Sequence, residues 1–269
     1  MAAHTSHIGA HLPHEGLGRR NVLVLGGLGA AGLLGARVSA TLATGNPRSR
    51  AAGPEAGLPT PPAPPAPGTP PQEPVSSGAI GPWQNSTHST STPAEDQAAA
   101  TGEGIHLIGD SIATRLLPVL QERLAGRPLS YDVWNGRPTA PALEDLARAV
   151  AEDRLAPTVV AVLGSNDIFD PWPFAAQIHR AREIVGGRRL LWVTPFVSRP
   201  SARSADLRNS AVLGLALERA AAAGQIELVR WFELLARSAD RVDDLAEDGV
   251  HPTGVGSAAL ADLVLTTLG

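Results

Sequence analysis

From about residue 103 onward the chain alternates between two hydrophobic patterns. Short, mainly apolar runs occur at Ile105-His106-Leu107-Ile108, Leu129 to Trp134, Thr158 to Leu163, Arg189 to Val193 and Ile226 to Val229. Runs of this length, rich in β-branched residues and apolar on both sides, predict strands buried on both faces of a sheet. Between them lie longer stretches with apolar residues every three or four positions: Ile112 to Ala125, Pro141 to Leu155, Phe174 to Val185, Ala205 to Ala223, a short one near Phe232, and Gly256 to Leu268. That spacing predicts amphipathic helices; in the second, Ala142, Leu146, Ala149 and Val150 share one face. Strand and helix in strict alternation predict a parallel sheet covered on both sides.

The expected fold is therefore α/β, a three-layer α/β/α sandwich with a five-stranded parallel sheet and a flavodoxin-like strand order, over residues 103–269. The first hundred residues follow neither pattern. Twelve of the 24 prolines fall between Pro47 and Pro82, among Ala, Gly and Thr, and a Ser/Thr-rich run from Ser86 to Thr92 follows. Such a composition buries too little apolar surface to offset the entropy of ordering it, so 41–102 is expected to be a disordered linker, partly extended as polyproline II.

Ahead of it, Arg19-Arg20 opens an uncharged stretch from Val22 to Ala36, and Val38-Ser39-Ala40 offers small residues for cleavage. Fifteen residues with five glycines fall short of the ~20 apolar residues of a comfortable membrane span. Residues 1–40 are expected to be a signal segment resembling the bacterial twin-arginine type, directing the protein to the outside or surface of the cell with no lasting membrane span.

Composition narrows the chemistry. With no cysteine in the chain, disulfides and Cys-based metal sites are excluded. All 22 basic residues are arginine and the formal charge is −4, which leaves no basic face for nucleic acid. The acidic stretch from Asp240 to Asp248 lacks the ligand spacing of a calcium loop. No metal and no cofactor are expected.

Three separated segments carry the candidate chemistry. Gly109-Asp110-Ser111 ends the first strand and opens a helix, placing Ser111 where free backbone N–H groups favour a developing oxyanion. Asp and Ser are also ordinary capping residues, so this segment is weak alone. Gly164-Ser165-Asn166-Asp167 follows the third strand at once, putting an Asn amide at the same carboxyl edge of the sheet. Asp248-Gly249-Val250-His251 can set a carboxylate against an imidazole across a three-residue spacing. Of the three histidines beyond residue 103, His106 lies in a strand and His179 on a helix; His251 alone has an acid at fixed short reach. Nucleophile, amide donor and acid-oriented base together make the set for acyl transfer through serine.

These segments resemble those of the SGNH, or GDSL, hydrolases. Ser111 matches the family's nucleophile, Asn166 its oxyanion amide, and Asp248 with His251 its Asp-x-x-His pair. The resemblance implies a catalytic set of Ser111, Asp248 and His251 and an oxyanion hole of Ser111, Asn166 and a glycine after the second strand, supplied here by Gly136 in Asn135-Gly136-Arg137. The chain reads Gly-Asp-Ser-Ile where the family has Leu, a volume-conserving change. The interval from Ser111 to Gly136 is short, which predicts that this part supplies no cover over the site.

Aromatic and cationic residues near these segments, Phe169, Trp172 and Arg137, are candidate substrate contacts, on a small-molecule or glycan ester. Three function classes stay open: an exported ester hydrolase, an O-acyltransferase acting on cell-envelope or secreted glycans, and an inactive glycan-binding domain. A complete Ser-His-Asp set argues against the last. A monomer is expected.

Overall fold

The computed structural model describes residues 75–269 apart from Ala125. In chain order its strands are β1 (His88–Thr90), β2 (Ile105–Gly109), β3 (Leu129–Trp134), β4 (Thr158–Val162), β5 (Arg189–Val193) and β6 (Glu227–Val229). Its helices are α1 (Pro93–Thr101), α2 (Ser111–Arg123), α3 (Thr139–Ala151), α4 (Phe174–Val185), α5 (Arg203–Ala222), α6 (Trp231–Arg237), α7 (Val242–Leu245) and α8 (Gly254–Leu268).

One sheet runs β1-β3-β2-β4-β5-β6. The five expected strands are all parallel and occur in the flavodoxin-like order, with Leu107 opposite Tyr131 on one side and Val160 on the other. Successive side chains of these strands enter opposite layers. Leu107, Val160 and Leu191 meet Leu116 and Leu120 of α2 and Leu260 and Val264 of α8 on one face. Ile108, Ala161 and Trp192 meet Leu146 of α3, Ile178 of α4 and Leu213 of α5 on the other. That is the three-layer sandwich.

The sheet has a sixth strand that the sequence analysis assigned to the linker. β1 pairs antiparallel with the outer edge of β3, His88 opposite Trp134, and Ser91 N–H donates to Tyr131 O at 2.9 Å. The expected linker boundary at residue 102 is corrected accordingly: residues 88–101 are strand and helix. The cause is pairing of the Ser/Thr run with an edge strand, whose unpaired backbone groups need partners. α1 then begins with a capping box, Thr92 N–H donating to Glu95 Oε2 at 2.7 Å, with Pro93 in the first turn. The expected signal segment and the linker up to residue 74 lie outside the described residues.

Candidate active site

The candidate residues converge at the carboxyl edge of the sheet. β2 ends at Gly109, where a side chain is impossible: a Cβ would lie 2.3 Å from Ala113 Cβ and 2.7 Å from Val162 O. The glycine is thus required by the close approach of β4 and α2 to the strand end. Asp110 caps α2, its Oδ1 accepting from Ile112 N–H at 2.9 Å, and Ser111 is the first helical residue.

Ser111 Oγ lies 2.8 Å from His251 Nε2, across 140 residues of chain. On the far side of the ring, His251 Nδ1 lies 2.6 Å from Asp248 Oδ2. Asp248 is itself held by the turn, since its Oδ1 accepts from Val250 N–H at 2.9 Å and from His251 N–H at 2.7 Å. Partial burial acts to raise the Asp248 carboxyl, but its hydrogen bonds to the His251 ring and to these two amides outweigh that, holding it below the ordinary carboxylate range. The carboxylate therefore stays ionised behind the ring.

Gly136 adopts a left-handed φ of 75° in the turn after β3, and its N–H has no hydrogen-bond partner among the described residues. Asn166 Nδ2 lies 3.3 Å from both Asp110 Oδ2 and Arg137 O. Both contacts are longer than the usual 2.9–3.0 Å or so, so the amide is located without being tightly engaged. Ser111, Gly136, Asn166 and His251 all line one cavity of about 460 Å³.

Asp110 has a second task besides capping α2. Its carboxyl is fully buried and also receives the Ser165 hydroxyl. Burial pushes its pKa up to about 6, against the hydrogen bonds from Ser165 and Ile112. One buried carboxyl thereby joins the Ser111 helix to the Asn166 loop. Asp167, likewise pushed up to about 6 by burial, accepts from Thr139 N–H and Thr139 Oγ1 and ties the same loop to α3.

Two of the candidate substrate contacts are corrected. Arg137 is completely buried and does not face the cavity. Its Nη1 pairs with Asp132 Oδ1 at 3.0 Å and Asp145 Oδ2 at 2.8 Å, and its Nη2 donates to Gly109 O and Asp132 O at 3.1 and 2.7 Å. It is a clamp between the ends of β2 and β3, the two strands that present Ser111 and Gly136. Trp172 is 44% exposed and lies outside the cavity lining. Phe169 does line it, with Arg199 Cζ 4.8 Å from the centre of its ring.

The lining also includes residues the sequence analysis passed over: Arg199, and Ala79 to Trp83 with Ser86 from ahead of β1. The capping-box pattern Thr92-Pro93-Ala94-Glu95 was the available signal that folded chain begins before residue 103. Among the described residues no cluster of His, Asp and Glu could hold a metal ion, and no helix is long and apolar enough to cross a membrane.

No protein-family model matches the chain, and no curated protein matches it in sequence. Solved structures do match. The C-terminal catalytic domain of peptidoglycan O-acetyltransferase A from Streptococcus pneumoniae is 23% identical, with TM-score 0.50 over 62% of this chain and 93% of its own. A lipase/acylhydrolase from Enterococcus faecalis gives TM-score 0.54 at 18% identity, covering 61% of this chain and 94% of its own. A GDSL-like lipase from Bacteroides thetaiotaomicron gives 0.53 at 16% identity, over 64% of this chain and 93% of its own. At such identities the likeness is one of architecture: this chain has the fold of the SGNH, or GDSL, hydrolases.

Proposed function

We propose that the protein is a serine-dependent acyl-ester hydrolase. The observation that carries this reading is the ordered contact Ser111 Oγ, His251 Nε2, His251 Nδ1, Asp248 Oδ2, at 2.8 and 2.6 Å, opening on a cavity. Neutral His251 takes the Ser111 proton as Oγ bonds to the ester carbonyl carbon, and Asp248 stabilises the imidazolium formed. The carbonyl oxygen gains negative charge opposite the N–H of Gly136, the N–H of Ser111 at the start of α2, and one Nδ2 hydrogen of Asn166 released from its long contacts. The carbon–oxygen bond to the alcohol then breaks, and the alcohol leaves with the proton from His251. Water repeats the sequence in reverse, freeing the acid and restoring Ser111.

Transfer to a saccharide hydroxyl instead of water is the second reading. The size of the cavity favours it, because an acceptor larger than water fits beside the acyl group. A fluorophosphonate should add covalently to Ser111 of the wild-type chain and not to Ser111→Ala, and product analysis with an ester, with and without oligosaccharide, assigns the acceptor. An unlabelled Ser111 in folded protein overturns both readings. Export through the Arg19-Arg20 segment belongs to the same proposal, tested by replacing both arginines with lysine: retention in the cytoplasm supports the twin-arginine route, and unchanged secretion excludes it.

A further inference from the structure

The segment ahead of β1 has no part in the acyl-transfer steps, yet it is built into the site. Its start is anchored: Asn209 Nδ2 donates to Val75 O at 2.7 Å and to Ser77 Oγ at 3.0 Å, and Arg199 Nη2 donates to Ser77 O at 2.5 Å. Its end is anchored too, because Ser86 Oγ lies 2.5 Å from both Trp83 O and Asn135 O, and Asn135 N–H donates to Thr87 O at 2.9 Å. Between these ties the strap passes over the oxyanion turn so closely that a Cβ on Gly136 would lie 2.9 Å from Trp83 Cβ. The half-buried Trp83 indole meets Trp134 edge-on, ring centres 4.8 Å apart, and Trp134 in turn stacks on His88 at 4.2 Å. Trp83 is therefore a braced aromatic surface on the cavity wall.

The character of that cavity selects among ligands. Its volume, about 460 Å³, is far more than a short acyl group fills and falls within the roughly 300–1,000 Å³ of pockets that enclose whole ligands. Ile80, Trp83 and Phe169 give it apolar surface, while Ser86, Asn135 and Arg199 give it hydrogen-bonding groups. A long alkyl chain calls for an apolar slot throughout, and this one is mixed. Nor is the cationic group set for an anion: Arg199 Nε and Nη2 are taken by the two oxygens of fully buried Asp206, at 2.9 and 2.7 Å, which balances its charge. Arg199 Nη1 makes no hydrogen bond among the described residues. An aromatic face with neutral hydrogen-bonding groups around it suits a ring bearing C–H bonds on its faces and hydroxyls at its edge.

We propose that Trp83, held by the strap, is a specificity residue that stacks on the sugar ring of an O-acylated saccharide, which names the substrate class for the acyl-ester reading on which this inference rests. The test separates the two by measuring binding without turnover. Full-length chain carrying Ser111→Ala is titrated by calorimetry with O-acetylated xylo-, gluco- and chito-oligosaccharides. At least one should bind, Trp83→Ala in that background should weaken it about tenfold, and Trp83→Phe should restore most of the loss. In the Ser111→Ala chain with Trp83 intact, the same saccharide should protect the Trp83 indole from oxidation, read by mass spectrometry, a measurement that needs no substitution at Trp83. Binding unchanged by Trp83→Ala, no protection of Trp83, or no binding by any of the saccharides overturns the proposal. Fluorophosphonate labelling of Ser111 reports separately on the acyl-ester reading.

Discussion

The described residues include two serine–histidine pairs at nearly the same distance, and only one is equipped for chemistry. His251 Nε2 lies 2.8 Å from Ser111 Oγ; His106 Nδ1 lies 2.9 Å from Ser130 Oγ. The second pair bridges β2 and β3 near their amino ends, and Ser130 is fully buried, so no carbonyl carbon can reach its oxygen. Burial holds the His106 ring neutral, pushing its pKa down to about 4 although Asp132 and Asp96 oppose the shift. No carboxylate hydrogen-bonds to it among the described residues. The first pair sits where strands end, on a cavity, with Asp248 behind the ring and the Gly136 N–H nearby. A serine next to a histidine is thus a packing motif until a carboxylate, an oxyanion site and access are added.

The largest expected effect breaks the comparison directly. Ser111→Ala should lower kcat/KM for p-nitrophenyl acetate by at least about 10³-fold. Ser130→Ala should leave it within about threefold and cost about 1 kcal/mol of stability, the net worth of one buried hydrogen bond. Comparable activity losses in the two variants would remove the distinction between the pairs.

Next come the groups that the first pair has and the second lacks. Asn166→Ala should reduce kcat by roughly 10²–10³ with KM nearly constant, because its amide acts on charge present only in the transition state. A raised KM with kcat preserved would make Asn166 a ground-state contact instead.

His251 as base gives a further test: His251→Ala should lose most of the rate. Activity kept by folded His251→Ala contradicts a histidine base.

The smallest effects concern stability, and here His106 and the buried carboxyls oppose one another. The folded value of His106, about 4, lies below its ordinary 6.5, so its contribution is present above pH 6.5 and lost as the pH falls toward 4. The stability gap between wild type and His106→Gln should be about 2–3 kcal/mol wider at pH 7 than at pH 4.5 by urea unfolding. Asp167, raised from 3.8 to about 6, has the reverse sign: its contribution is present below about pH 4 and lost as the pH rises through 6. Asp167→Asn should accordingly gain on wild type from pH 4.5 to 7. Gaps independent of pH would mean that neither burial shift operates.

Much of this was legible without coordinates. Apolar runs that must be buried on both faces dictate a covered parallel sheet, and a strand that ends in Gly109-Asp110-Ser111 brings its serine to that sheet's carboxyl edge whatever the loops do. Asp248 and His251 are near neighbours in sequence, so their contact is local and readable from spacing. Contacts between distant segments were not readable this way. Arg137 beside Gly136 reads equally as a substrate contact or an internal clamp, and only the convergence of Asp132, Asp145 and Gly109 O around it decides for the clamp. Residues 75–102 read as linker because composition measures what a segment can bury by itself, whereas β1 and the strap gain their order from the edge of β3 and the turn at Gly136. The sequence alone determined the five parallel strands, their covering helices and the residue types for acyl transfer, since these follow from periodicity and short-range chemistry. The tertiary structure decided which serine–histidine pair has a carboxylate bonded to its ring and its serine on a cavity wall, and which segment walls that cavity, because those depend on groups far apart in the chain sharing one small volume.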